Sequence, residues 1–144
     1  MKFGPIHVDH IGIAVDELEQ GSHFWRLLGL IENKDDELVE DQGVTTRYFS
    51  TSDSNEHEPP VQIELLEPTS SDTPIGKVIL KRGVGIQQLC FRVGDLEGLI
   101  AYLLENEIQM IDEVPRRGAG GKMIAFVHPK STGGVLVELT QSTA

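Results

Sequence analysis

Apolar and polar positions alternate along Val8–Val15, the signature of a β-strand. Ile11, Ile13 and Val15 fall on one face; His10, Gly12 and Ala14 fall on the other. The first face is bulky and suits packing under a helix. The second carries one imidazole flanked by residues with almost no side chain, which leaves room beside it. The pattern returns at Ile86–Val93, where Leu89, Phe91 and Val93 oppose Gln88, Cys90 and Arg92. A shift of 78 positions lays His10 on Gln88, Val15 on Val93, Leu18 on Leu96 and Glu19 on Glu97. The two stretches read as an internal duplication.

The rest of each half follows the same order. Asp16 is a predicted N-cap, with Glu17 and Glu19 in the first turn, where the helix dipole favours anions. Leu18, Phe24, Leu27 and Leu28 are the predicted buried stripe of a helix that Gly29 closes. An edge-like segment Glu37–Glu40 precedes a strand at Val44–Ser50, rich in β-branched and aromatic residues. Thr51–Pro60 reads as a polar loop and Val61–Leu66 as another strand. A polar linker, Glu67–Pro74, leads to an amphipathic helix over Ile75–Arg82, apolar at Ile75, Val78 and Ile79, and ended by Gly83.

In the second half Asp95 caps a helix with apolar Leu96, Leu99, Ile100, Leu103 and Leu104. Then come a short strand near Ile108–Ile111, a Gly-rich loop at Arg116–Gly121 and a strand at Met123–His128. A turn at Pro129–Gly134 precedes the last strand, Val135–Thr140. This order predicts an α+β fold. It is one domain over 1–144 made of two paired βαβββ modules, 6–67 and 84–141, forming a curved mixed sheet with helices on the outside.

Composition narrows the function classes. A 144-residue chain with 39% apolar and 24% charged residues can build a sizeable core. A formal net charge of -11 repels phosphate backbones and argues against nucleic acid as a partner. The single cysteine, Cys90, rules out an intramolecular disulfide framework and fits a reducing compartment. With no signal-like start and no membrane-length apolar run, the expected location is cytoplasmic, with no membrane partner.

The final strands of the halves also correspond, Ile63-Glu64-Leu65 with Val137-Glu138-Leu139. The flanking bulky residues point to the helix face, so each Glu points the other way, with His10 and Gln88. One imidazole, two carboxylates and one amide make a fitting shell for a divalent transition metal. Taken singly, each is as well explained as a solvated residue on the wet face of a strand. His7, His23 and His57 read as surface residues. His128 reads as a loop-fixing or substrate-contacting residue. Cys90 either keeps the pocket roomy or is a reactive thiol, although no base is evidently paired with it. Arg116, Arg117, Lys122 and Lys130 lie in or beside Gly-rich stretches of an acidic chain. They are contacts for an anionic ligand or plain solvated turn residues. No dinucleotide fingerprint and no phosphate-binding loop motif is present.

Asp9–Val15, Glu64-Leu65-Leu66-Glu67-Pro68, Asp72–Ile75, Asp112–Arg116 and His128–Leu139 resemble the methylmalonyl-CoA epimerases. These are a branch of the vicinal oxygen chelate superfamily, which includes the glyoxalases, extradiol dioxygenases and bleomycin-resistance proteins. The His-Pro-Lys-Ser segment before the last strand carries the epimerase likeness; the His-Ile-Gly-Ile-Ala start indicates only the superfamily.

The resemblance implies a divalent metal (cobalt, zinc, manganese or nickel) at His10, Glu64, Gln88 and Glu138. It implies an acyl-CoA substrate, contacted by Lys130, Ser131, Arg116 and Lys122, and is compatible with a homodimer. Glu138 is the first candidate base and Glu64 the second. Two positions depart from the pattern. Gln87-Gln88 stands where the family usually has His-His, and Thr46 stands where some epimerases carry a glutamate proposed as acid/base. Two other readings accompany epimerisation. One is a non-catalytic ligand-binding or resistance-type protein, the other a different isomerase or lyase of the superfamily.

Overall fold

The computed structural model describes residues 2–33, 35–51 and 59–141. These fall into two compact units, one of residues 10–87 and one of residues 1–9 with 88–144. Most of the predicted loop at 51–60, and His57 with it, lies outside the described residues.

In chain order the elements of the first unit are β1 (His7–Ala14), α1 (Leu18–Gly21), α2 (His23–Leu28), β2 (Ile31–Glu32), β3 (Glu37–Val39), β4 (Val44–Ser50), β5 (Gln62–Pro68) and α3 (Pro74–Arg82). β1 begins in the segment that belongs to the second unit. β1 pairs parallel with β5, and β5 antiparallel with β4, which also pairs antiparallel with β2 and β3. The parallel pair requires a crossover, and α1–α2 supply it. Ile11, Ile13, Ile63 and Leu65 pack with Val15, Leu18, Phe49, Trp25 and Leu30 beneath it.

The crossover differs from its prediction. The helix runs as two pieces that meet at Ser22, whose hydroxyl donates to the Leu18 carbonyl at 2.6 Å and accepts from Arg47 at 2.9 Å. The residue before α1 is Glu17, with no side-chain cap, so Asp16 is not the N-cap. The predicted stripe also fails beyond Leu18. Phe24, Leu27 and Leu28 are 61%, 73% and 58% exposed. The inward face is Leu18, Ser22 and Trp25, at spacings of four and three. The wholly apolar set Phe24, Leu27 and Leu28 faces outward, and the inward face includes a serine.

α3 starts at Pro74, one residue before its predicted start, and ends at Arg82 as predicted, with the Thr73 hydroxyl accepting from the Gly76 N–H at 3.1 Å as its N-cap. In the second unit the elements are β6 (Gly85–Val93, which starts in the first unit), α4 (Leu96–Glu105), β7 (Arg116–Arg117), β8 (Met123–Val127) and β9 (Leu136–Gln141). β6 pairs parallel with β9, β9 antiparallel with β8, and β8 antiparallel with β7. Asp95 caps α4 by accepting from the Gly98 N–H at 3.0 Å, as predicted. Val93, Leu96, Ile100, Met110, Ala125, Val127 and Leu139 form the core under α4. Instead of a strand at 108–111, only Met110 bridges to Val127. The N-terminal segment joins this unit, because the Phe3 carbonyl accepts from the Gly94 and Asp95 N–H groups.

The architecture is α+β, and the duplication is visible in its topology. In each unit the first and last strands are parallel neighbours, and the penultimate strand pairs antiparallel with the last. Among the described residues, no helix is long and apolar enough to cross a membrane.

Candidate functional site

The first unit places two predicted metal donors together. β1 and β5 are in register with His10 opposite Gln62 and Gly12 opposite Glu64. Glu64 faces a residue without a side chain, and its carboxylate leans toward the imidazole two places earlier. His10 Nε2 lies 3.2 Å from Glu64 Oε1. Both residues are deeply buried, His10 at 6% and Glu64 at 3% exposure, so the face expected to be wet is not. Glu64 Oε2 accepts from the Tyr48 hydroxyl at 2.5 Å, whereas the buried Oε1 receives no hydrogen bond. The Tyr48 ring meets the His10 ring edge-on, with centroids 5.8 Å apart.

This pair fits a divalent ion. A buried carboxylate oxygen without a donor is costly unless something positive meets it. Two ligands about 2.1 Å from one ion stand roughly 3.0 Å apart at right angles and 3.4 Å apart in a tetrahedron. The observed 3.2 Å separation lies between the two.

The second unit repeats the arrangement. Gln88 pairs with Leu136 and Cys90 with Glu138, so again the carboxylate stands opposite a small residue two places after the other donor. Gln88 and Glu138 are 4% and 5% exposed, and the Gln88 amide nitrogen donates to Glu138 Oε1 at 3.3 Å. Rotating that amide by half a turn exchanges its N–H₂ for its oxygen and presents a second oxygen donor. Cys90 is fully buried and occupies the register position that Gly12 holds in the first unit, in keeping with a space-saving residue.

Two features escaped sequence reading. Tyr48 is the direct Cα partner of Glu64 on β4; its signal was period-two spacing from Thr46, masked by its role as an ordinary strand former. Arg92 forms a largely buried ion pair with Asp9 at 2.9 Å. Its signal was its place on the Gln88–Cys90 face. Thr46 is itself buried and its hydroxyl donates to the Glu37 carbonyl at 3.4 Å.

The predicted basic cluster separates. Arg116 pairs with Ile124 at the start of β8, its Nε 3.1 Å from Asp112 Oδ1 and its guanidinium over the Phe126 ring. Phe126 is in turn the Cα partner of Glu138. Lys122 is exposed just before β8. Lys130 and Ser131 lie beyond the other end of that strand, a span of roughly 17 Å. There His128 accepts the Lys130 N–H at 3.1 Å, the loop-fixing role foreseen for it, and Ser131 Oγ accepts from the Gln109 N–H.

Charge elsewhere in the first unit is tightly paired. Arg47 donates to both Asp36 oxygens at 2.8 Å and to Glu19, and Arg26 donates to Glu19 and Glu32. Hydrogen bonds from Arg26 and then Arg47 lower the Glu19 carboxyl to about 2. Arg26 likewise lowers Glu32, and Arg47 lowers Asp36.

Residues 9–126 match the Glyoxalase/Bleomycin resistance protein/Dioxygenase superfamily. An uncharacterized Bacillus subtilis protein, YqjC, is 35% identical over 93% of this chain and 91% of its own length. The ethylmalonyl-CoA/methylmalonyl-CoA epimerase of Cereibacter sphaeroides is 33% identical, over 93% of this chain and 96% of its own. Among solved structures, a variant Streptomyces coelicolor methylmalonyl-CoA epimerase in complex with 2-nitronate-propionyl-CoA superposes with a TM-score of 0.88 at 33% identity. That match covers 99% of this chain and 96% of the other.

Proposed function

Because the chain belongs to the Glyoxalase/Bleomycin resistance protein/Dioxygenase superfamily and shares nearly its whole length with methylmalonyl-CoA epimerases, we propose that it interconverts the two epimers of methylmalonyl-CoA or a similar acyl-CoA. The observation that carries this reading is the duplicated register, which sets a buried Glu opposite a small residue beside a second donor in each unit. His10, Glu64, Gln88 and Glu138 are the proposed ligands of one divalent ion, the kind of ion the superfamily holds. The lone cysteine supports a cytoplasmic location for the reaction.

When bound, such an ion supplies a Lewis acid that stabilises the negative charge of a thioester enolate. Glu138 is the proposed base for the α-proton, and Glu64 the second candidate. Burial of both carboxylates keeps water from competing for that proton. His10 and Gln88 contribute neutral donors, so the ligand set carries the charge of its two glutamates alone. Arg116, Lys122, Lys130 and Ser131 are the proposed contacts for the anionic substrate. Their separation along β8 suits a long ligand better than a single small anion.

Thr46 favours a second reading. It cannot exchange a proton where some epimerases carry a glutamate, and its hydroxyl is committed to β3. A non-catalytic acyl-CoA-binding protein, or a different isomerase or lyase, shares the same donors. Deuterium wash-in from D₂O separates them. Protein-dependent exchange at the α-carbon of methylmalonyl-CoA supports epimerisation, and its absence with metal supplied supports the second reading.

A further inference from the structure

We infer that Tyr48 is a positioning residue which presents Glu64 to the divalent ion as a one-oxygen ligand; the inference rests on the metal-holding part of the reading above. Tyr48 and Glu64 are directly paired across β4 and β5, on the same face of the sheet. The hydroxyl holds Oε2 at 2.5 Å and leaves Oε1, buried and without a hydrogen bond, on the side of His10 Nε2. The same ring lies edge-on against the His10 imidazole. One side chain therefore restrains both donors of this unit.

The alternative conformations of Glu64 show why the hydroxyl matters. Without it, both carboxylate oxygens would be buried with no hydroxyl donor, a costly state. The carboxylate would gain by rotating so that either oxygen meets the imidazole, and no single oxygen would then be aimed. A ligand held to one orientation loses less freedom on metal binding than one that rotates. On β4 the residue two places earlier gives no such help, because the Thr46 hydroxyl is turned to the Glu37 carbonyl. Gln62, next on the Glu64 face, is tied to Ser50 at 3.1 Å.

The test is titration of chelator-stripped protein with cobalt(II), read by its visible absorption and by competition with a coloured chelator, with no substrate present. Tyr48→Phe keeps the ring and removes only the hydroxyl. The expected result is a loss of about 10- to 100-fold in cobalt affinity, the usual range for losing a group that orients a ligand, with an altered cobalt spectrum and unchanged circular dichroism. A double-mutant cycle identifies the route. In a Glu64→Ala background, Tyr48→Phe should change the affinity less than about twofold, since the carboxylate it acts through is gone. Equal affinity and spectrum for wild type and Tyr48→Phe would overturn the inference, as would the same loss in both backgrounds. Because the readout needs no turnover, cobalt results of the expected kind with no α-carbon exchange would refute the epimerase reading and leave Tyr48's role standing.

Discussion

Gly12 stands directly opposite Glu64 in the parallel β1–β5 pair, as Cys90 stands opposite Glu138 in β6–β9. No side chain at 12 competes for space with the Glu64 carboxylate, whose Oε1 lies 3.2 Å from His10 Nε2. Gly12→Val would place a branched side chain about 5 Å from the Glu64 Cβ on the same face. Valine is a better strand former than glycine, so the strand itself should not weaken. The expected outcome is a cobalt affinity reduced by more than tenfold, together with a modest loss of thermal stability from overpacking and an unchanged circular dichroism spectrum. A fall in stability with metal binding intact would show that the glycine serves the backbone rather than the donors.

Glu138→Gln keeps the shape and one oxygen donor but removes the basic carboxylate. Exchange of the α-proton should slow by at least about 100-fold, the lower range for a positioned general base. Near-normal exchange would remove Glu138 from that role and leave Glu64 as the candidate.

Much of this was legible in the sequence because the signal was given twice. Period-two alternation around His10 and Gln88 fixed the face of each donor, and the Glu-centred final strands fixed the other two. The Asp95 cap marked a helix start through a side chain that accepts an orphan N–H group, whereas Thr73, read as part of the linker, proved to cap α3 in the same way. The α1–α2 crossover departs from its prediction because pattern alone favours the wholly apolar positions Phe24, Leu27 and Leu28 over an inward face that includes a serine. The short inward stripe runs through Ser22, whose hydroxyl is satisfied by Leu18 and Arg47 and so costs little to bury. The burial of the donor face was likewise invisible. Alternation separates two faces but does not say that both are covered. Tyr48 was missed because its importance depends on the β4–β5 register, which alternation within either strand does not reveal.

Gln88→His should tighten metal binding, because imidazole is the stronger donor for zinc and nickel than an amide oxygen. Side-by-side titration of the two chelator-stripped proteins measures it. Equal, tight, stoichiometric binding in both would show that the amide is as good a ligand here as the imidazole usual in the family.

The arginine network should make the first unit acid-sensitive. Glu19 titrates at about 2 when folded, and Glu32 and Asp36 are also lowered. Each binds its proton more readily unfolded than folded. The network therefore stabilises the protein above the ordinary carboxylate range, and the contribution is lost as pH falls from about 4.5 toward 2. Glu19 is exposed, so its share is small; Asp36, held by both arms of the better-covered Arg47, carries more. The melting temperatures of wild type and Arg47→Met should differ most near neutral pH and converge at the acid end. A constant difference across that window would mean that Arg47 acts through packing alone.

The most direct measurement is solvent deuterium incorporation at the α-carbon of methylmalonyl-CoA, followed by mass spectrometry. Chelator-stripped protein is compared with protein resupplied with cobalt or zinc, for wild type and for His10→Ala. Rapid incorporation that is lost on stripping, returns with metal and stays absent in His10→Ala is the expected result. Incorporation that survives stripping and the loss of His10, or none at all in metal-loaded wild type, would contradict a metal-dependent epimerase built on His10, Glu64, Gln88 and Glu138.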